Sequence, residues 1–176
     1  MVCTELERKG TMKNHKGAPK LKDKHIMIAV DESENAKAAL LFVAGFIGGF
    51  RGFRATVLSI IAAPDRDVFD SDGDKQKWIA DKRESLLVLL ERYRHILIQS
   101  GFPKTKIRTE LVVADGRPVS SVILEKQKEI RSCALVVGRR GISKSEEFLF
   151  GSVSNTLIHS ANNCSVWVIE PTCGIE

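Results

Sequence analysis

Five short apolar runs, each separated from the next by a stretch of helical period, leave this chain few folds to choose from. They are His25 to Val30, Arg54 to Ile61, Ile107 to Ala114, Cys133 to Val137 and Ser165 to Ile169, and β-branched and large apolar residues dominate them. A run that is apolar at successive positions must be covered on both faces, which predicts parallel strands. Between the runs, Ala36, Leu40, Val43 and Ile47 recur at helical spacing until Gly48-Gly49. Leu86, Leu89, Leu90, Tyr93 and Leu97 mark a long helix over 75–100, after an acidic loop over 62–74. Pro118 suits the first turn of a third helix that runs to about Ile130, and a short one spans about 152–160. Alternation of this kind predicts an α/β fold, a doubly wound five-stranded parallel sheet with helices on both faces. Right-handed crossovers allow the chain to wind outward from the first strand through the second and third and to return with the fourth on its other side, the strand order 3-2-1-4-5 expected here. In such sheets ligands bind at the carboxyl ends of the strands beside the switch point, here just after the first and fourth strands, at Asp31 and Gly138.

The 176 residues suit one domain, placed over 24–171, with a flexible basic leader over 1–23 and a short tail over 172–176. The net charge of +5 is not spread evenly: residues 1–24 carry +4 and the remainder only +1. Basicity confined to a leader gives the domain no electrostatic reason to hold nucleic acid, so none is expected as a partner. The four cysteines, Cys3, Cys133, Cys164 and Cys173, show neither CxxC spacing nor histidines at metal-site intervals, and Cys133, inside an apolar run, reads as a small buried side chain. The apolar runs are far shorter than the ~20 residues of a membrane span, and the N-terminus lacks the apolar core of a secretory signal. A reduced, cytoplasmic protein without a membrane anchor is expected.

Chemistry concentrates near the C-terminus, in Gly138-Arg-Arg-Gly141-Ile-Ser-Lys-Ser-Glu-Glu-Phe-Leu-Phe-Gly151-Ser152. Glycines where a strand enters a loop and where the loop enters a helix let the backbone approach a bulky anion, and a helix N-terminus offers unpaired N–H groups with partial positive charge. Arg139, Arg140 and Lys144 add cations, and Ser152 and Ser154 add hydroxyls. The same glycines also serve as turn formers, so the residues by themselves leave phosphate binding and plain turns both open.

The spacing Gly138-x2-Gly141-x9-Gly151-Ser152 resembles the ATP-binding signature of the universal stress protein family. Other features are similar in order: a strand ending in Asp31, an Ala-rich first helix, the turn Val113-Ala-Asp-Gly116-Arg-Pro118, and Ala134 to Gly138 leading into the signature. Ser165 stands where the family usually has a proline, and Glu32 follows Asp31 where a small residue is usual. The resemblance implies a Rossmann-like fold of the adenine nucleotide alpha hydrolase type and binding of ATP or a related adenine nucleotide, with Mg²⁺. It implies that Ala29 and Val30 flank the adenine, that Asp31 lies by the ribose and phosphates, and that Ile60 offers backbone groups to the base. Gly138, Gly141, Gly151, Ser152, Val153 and Ser154 would surround the phosphates, with Val137 and Arg139 beside them. It also implies a homodimer through the last strand, Ser165 to Ile169. A nucleotide-binding regulator in stress response is the expected function; the alternative is a slow ATPase or nucleotidyl-transfer enzyme.

Competing motifs are weak. GxxxxGK[ST] is missing, so the phosphate site is not a P-loop, and no GxGxxG follows the first strand to suggest NAD or FAD. Asp70-Ser-Asp72-Gly-Asp74 has Lys75 where a calcium loop needs its glycine, and reads as a solvated loop able to fold over a nucleotide. His15, His25, His95 and His159 share no spacing, and no nucleophile and base can be paired into a catalytic site. Trp78 and Trp167 read as packing residues, with Trp167 on an edge strand where it can meet a second subunit.

Overall fold

A computed structural model describes residues 24–63, 68–139 and 152–171. Five parallel strands, β1 (Lys24–Val30), β2 (Phe53–Ile61), β3 (Ile107–Val113), β4 (Ala134–Gly138) and β5 (Ser165–Ile169), lie in the order β3-β2-β1-β4-β5. The helices are α1 (Glu34–Ile47), α2 (Asp72–Gln99), α3 (Val119–Ile130) and α4 (Ser152–Ser160). Fold class and strand order are those expected from the sequence.

Side-chain alternation divides the core in two. Ile26, Ile28 and Val30 of β1, with Val57 and Val136, face α1 and α2; Met27, Leu58, Leu135 and Val137 face Ile123 of α3 and Leu157 of α4. Both sheet faces are dry, which is why the strands read as unbroken apolar runs. Small residues, Ala36, Ala39 and Ala44, line the buried stripe of α1 and let it lie close to the sheet. His25 breaks the apolar pattern inside β1, yet it is satisfied: Nδ1 donates to the Ile130 carbonyl at 3.1 Å, which leaves Nε2 to accept from Thr56 Oγ1 at 2.8 Å. Burial, and then the positive charges of Arg54 and Arg108, hold its pKa below the usual imidazole value.

Three details differ from the sequence reading. Helix α2 begins at Asp72, not Lys75, because Ser71 caps it: Ser71 Oγ accepts from Asp74 N at 3.2 Å, and Asp72 and Asp74 sit favourably in the first turn. The residues read as a solvated acidic loop are therefore in part a helix start. Pro118 precedes α3 as its N-cap, with ψ 135°, instead of entering the first turn. Cys133 lies one residue before β4 and is exposed, so it is not a buried hydrophobe. Among the described residues no helix is long and apolar enough to cross a membrane.

Candidate functional site

The carboxyl ends of β1, β2 and β4 open into a cleft of about 660 Å³, well within the size range of small-molecule sites. Its floor is apolar, from Ala29 and Val30 of β1, Leu58 and Ile60 of β2, and Val137 of β4. Asp31 is its charged wall: exposed, it follows β1 directly and accepts from Ser33 N at 3.0 Å and from Ser33 Oγ. Ser33 in turn caps α1 through Ala36 N at 3.2 Å, so one chain of hydrogen bonds ties the carboxylate to the helix start. The neighbouring Glu32 is held from outside by α2. Lys82 and Ser85 both donate to its carboxylate, and they keep its pKa below the ordinary range.

Gly138 acts by leaving space. A Cβ there would stand 2.4 Å from the backbone C and O of Asn35 and 2.7 Å from Ala36 N. The absent side chain thus lets the first turn of α1 lie on the end of β4, and the volume that sequence reasoning left for an anion is partly filled by the chain itself. From the opposite side α4 brings Val153 and Ser154 into the lining, and α3 brings Pro118, Val119, Ser120 and Ile123.

Of the residues singled out from sequence, Ala29, Val30, Asp31, Ile60, Val137, Gly138, Val153 and Ser154 converge on this cleft. Arg139 does not line it; its guanidinium donates to Glu170 at 2.6 Å beside the end of β5. Gly141, Gly151, Arg140, Lys144 and the side chain of Ser152 lie outside the described residues. Sequence reasoning missed Asn35 and Ala36, and it missed the α3 contribution. The Gly116-Arg-Pro118 turn was visible, but nothing local says that the helix after it overhangs β1 and β2.

The family model for the universal stress protein family matches residues 23–170. The chain belongs to the universal stress protein family. A Staphylococcus aureus (strain USA300) relative whose name places it in the same family is 27% identical over 150 residues, covering 83% of either chain. The solved universal stress protein UspA from Lactobacillus plantarum superposes with a TM-score of 0.68 at 18% identity, over 84% of this chain and 98% of its own. A universal stress protein solved in complex with cAMP gives a TM-score of 0.62 at 17% identity, over 85% of this chain and 98% of its own. At such identities the likeness establishes the universal stress protein fold and leaves the ligand to chemistry. Among the described residues, no group of three or more His, Cys, Asp or Glu side chains is placed to hold a metal by itself.

Proposed function

We propose that the cleft binds an adenine nucleotide, ATP with Mg²⁺ foremost, and that the protein is a cytoplasmic regulator whose state follows that ligand. The observation that carries this is the meeting, in one cleft, of apolar strand residues, Ala29, Leu58, Ile60 and Val137, with the N-terminal turns of α1 and α4. A planar base is at home on the floor, and phosphates are at home against helix N-termini. Asp31, an exposed carboxylate on the same wall, suits an ion shared with phosphate oxygens, since Mg²⁺ is commonly held by one or two carboxylates plus phosphates. The relative in complex with cAMP supports the ligand class and makes phosphate number the variable to test.

Ligand at 100 times its dissociation constant adds about 2.7 kcal/mol, equivalent to a rise in Tm of roughly 5–10 °C for a chain of this size. Differential scanning fluorimetry with millimolar ATP, ADP, AMP and cAMP, with and without Mg²⁺, is the measurement. A flat response to all four removes the proposal.

The proposed homodimer concerns the other end of the sheet. β5 pairs with β4, and among the described residues nothing pairs its outer edge. Across the amino ends of β2, β1, β4 and β5 a groove of about 570 Å³ is lined by Lys24, Phe46, Phe50, Phe53 and Trp167, with Phe46 62% and Phe50 67% exposed. Trp167 meets Phe42 and Phe46 edge-on, at centroid distances of 6.2 and 6.4 Å. An open strand edge flanked by exposed aromatics favours a second copy over water. Light scattering at micromolar concentration should give twice the 19.5 kDa of one chain. A monomer mass with intact folding refutes the dimer and leaves nucleotide binding untouched.

A further inference from the structure

Two free thiols meet where β4 and β5 enter the sheet. Cys133 stands one residue before β4 and Cys164 one residue before β5, and the register Ala134↔Ser165 continues outward to put them opposite each other. The backbone agrees: Ser165 N donates to the Cys133 carbonyl at 3.0 Å, and Ser165 Oγ donates to the same oxygen at 3.1 Å. Register partners on adjacent strands stand about 4.8 Å apart, inside the window of Cα separations, roughly 4.4–6.8 Å, that a disulfide bridges. Side-chain alternation gives both thiols one face of the sheet. Cys164 packs with Val166 and Val168 against the cluster that holds Leu135 and Val137, and Cys133 precedes Leu135 by two residues. Cys133 Sγ donates to the His25 carbonyl at 3.3 Å and Cys164 Sγ to the Ser165 carbonyl at 3.4 Å. Thiols are weak donors, so these bonds leave Cys133 free to turn about χ1 toward its neighbour.

Access to the two sulfurs differs. Cys133 is exposed and lines the groove at the amino ends of the strands, where a small oxidant can reach it. Cys164 is half-buried, and burial raises the pKa of its thiol, with the nearby Cys133 adding to the rise. We propose that Cys133 and Cys164 form a reversible disulfide in response to a hydroperoxide, Cys133 being the thiol oxidised first and Cys164 the one that resolves it. Cys133, as thiolate, attacks a peroxide oxygen: the S–O bond forms, the O–O bond breaks, and the leaving oxygen takes up a proton as water or alcohol. Cys164 Sγ then attacks the sulfenic sulfur, the S–S bond forms, the S–O bond breaks, and water leaves with the Cys164 proton. The two thiols give up two electrons, which the peroxide accepts. The pair lies at the amino ends of the strands, opposite the cleft, so it stands whether or not the cleft takes a nucleotide.

The test is peptide mapping of the reduced full chain after treatment with stoichiometric hydrogen peroxide. Remaining thiols are blocked by alkylation, and the protein is digested without reductant. The expected product is a single chain lighter by two hydrogen atoms, with the Cys133 and Cys164 peptides joined, formed in a yield independent of protein concentration and reversed by dithiothreitol. Cys133→Ser and Cys164→Ser should each lose that link, and Cys164→Ser should accumulate a Cys133 sulfenic acid that dimedone traps. Cys3→Ser and Cys173→Ser should form the link as the parent does. The inference is overturned if the parent, folded by circular dichroism, keeps Cys133 as a free thiol or carries it to sulfinic acid. A bond from Cys133 to Cys3, to Cys173 or to a second chain overturns it equally.

Discussion

Gly138→Ala should lower unfolding stability by about 3 kcal/mol, the upper part of the range for forcing volume into a packed site. It should also weaken any ligand of the cleft by at least about tenfold. The added methyl would meet the backbone of Asn35 and Ala36 at 2.4–2.7 Å, not the end of a side chain that can swing away. Relief therefore requires α1 to move. The N-cap Ser33 and the first-turn residues Asn35 and Ala36 of α1 all line the cleft, so a displacement there reshapes the site. Urea unfolding and calorimetric titration of the same preparation give both numbers. A variant within about 0.5 kcal/mol of the parent, the ordinary scatter of harmless surface changes, would show that α1 is not seated on Gly138 as described.

Leu157→Ala should cost about 3 kcal/mol, in the middle of the range for truncating a buried leucine. Leu157 is 0% exposed and packs among Met27, Leu58, Leu135 and Val137. It is also the fully buried anchor of α4, a helix of 9 residues, too short to persist without tertiary packing. The loss should therefore appear first where the helix can leave by itself. Amide exchange over 152–160 should speed up well before the sheet opens, and the cleft, which takes Val153 and Ser154 from this helix, should bind more weakly in parallel. Exchange in α4 that follows the global rate, with stability unchanged, would contradict the role of Leu157 as anchor.

The strands were legible because burial on both faces writes itself as consecutive apolar letters, and the order of the sheet is one that right-handed crossovers allow. What escaped was decided by single atoms or by distant elements. Asp72 to Asp74 look like loop by composition, and only the Ser71 hydroxyl turns those acids into a favourable first turn. Cys133 sits among apolar neighbours in sequence, yet the strand enters the sheet one residue later. Arg139 has the charge and position for a phosphate, but Glu170, 31 residues away, engages it. Gly138 was assigned to the right place with an incomplete reason, since α1 presses on it from a part of the chain a hundred residues earlier.

The aromatic groove and the cleft share two strands end to end. Ile26 and Ala134 belong to the groove, and Ala29, Val30, Val137 and Gly138 to the cleft. Along β1 the separation is several residues of extended chain at about 3.3 Å each, so occupants of the two sites do not compete for volume. Both strands are hydrogen-bonded on either side, and a sheet interior of this kind resists sliding. Were a second copy to cover the groove and a nucleotide to fill the cleft, association would follow protein concentration and cleft occupancy ligand concentration, and any linkage transmitted through β1 and β4 would be equal in both directions.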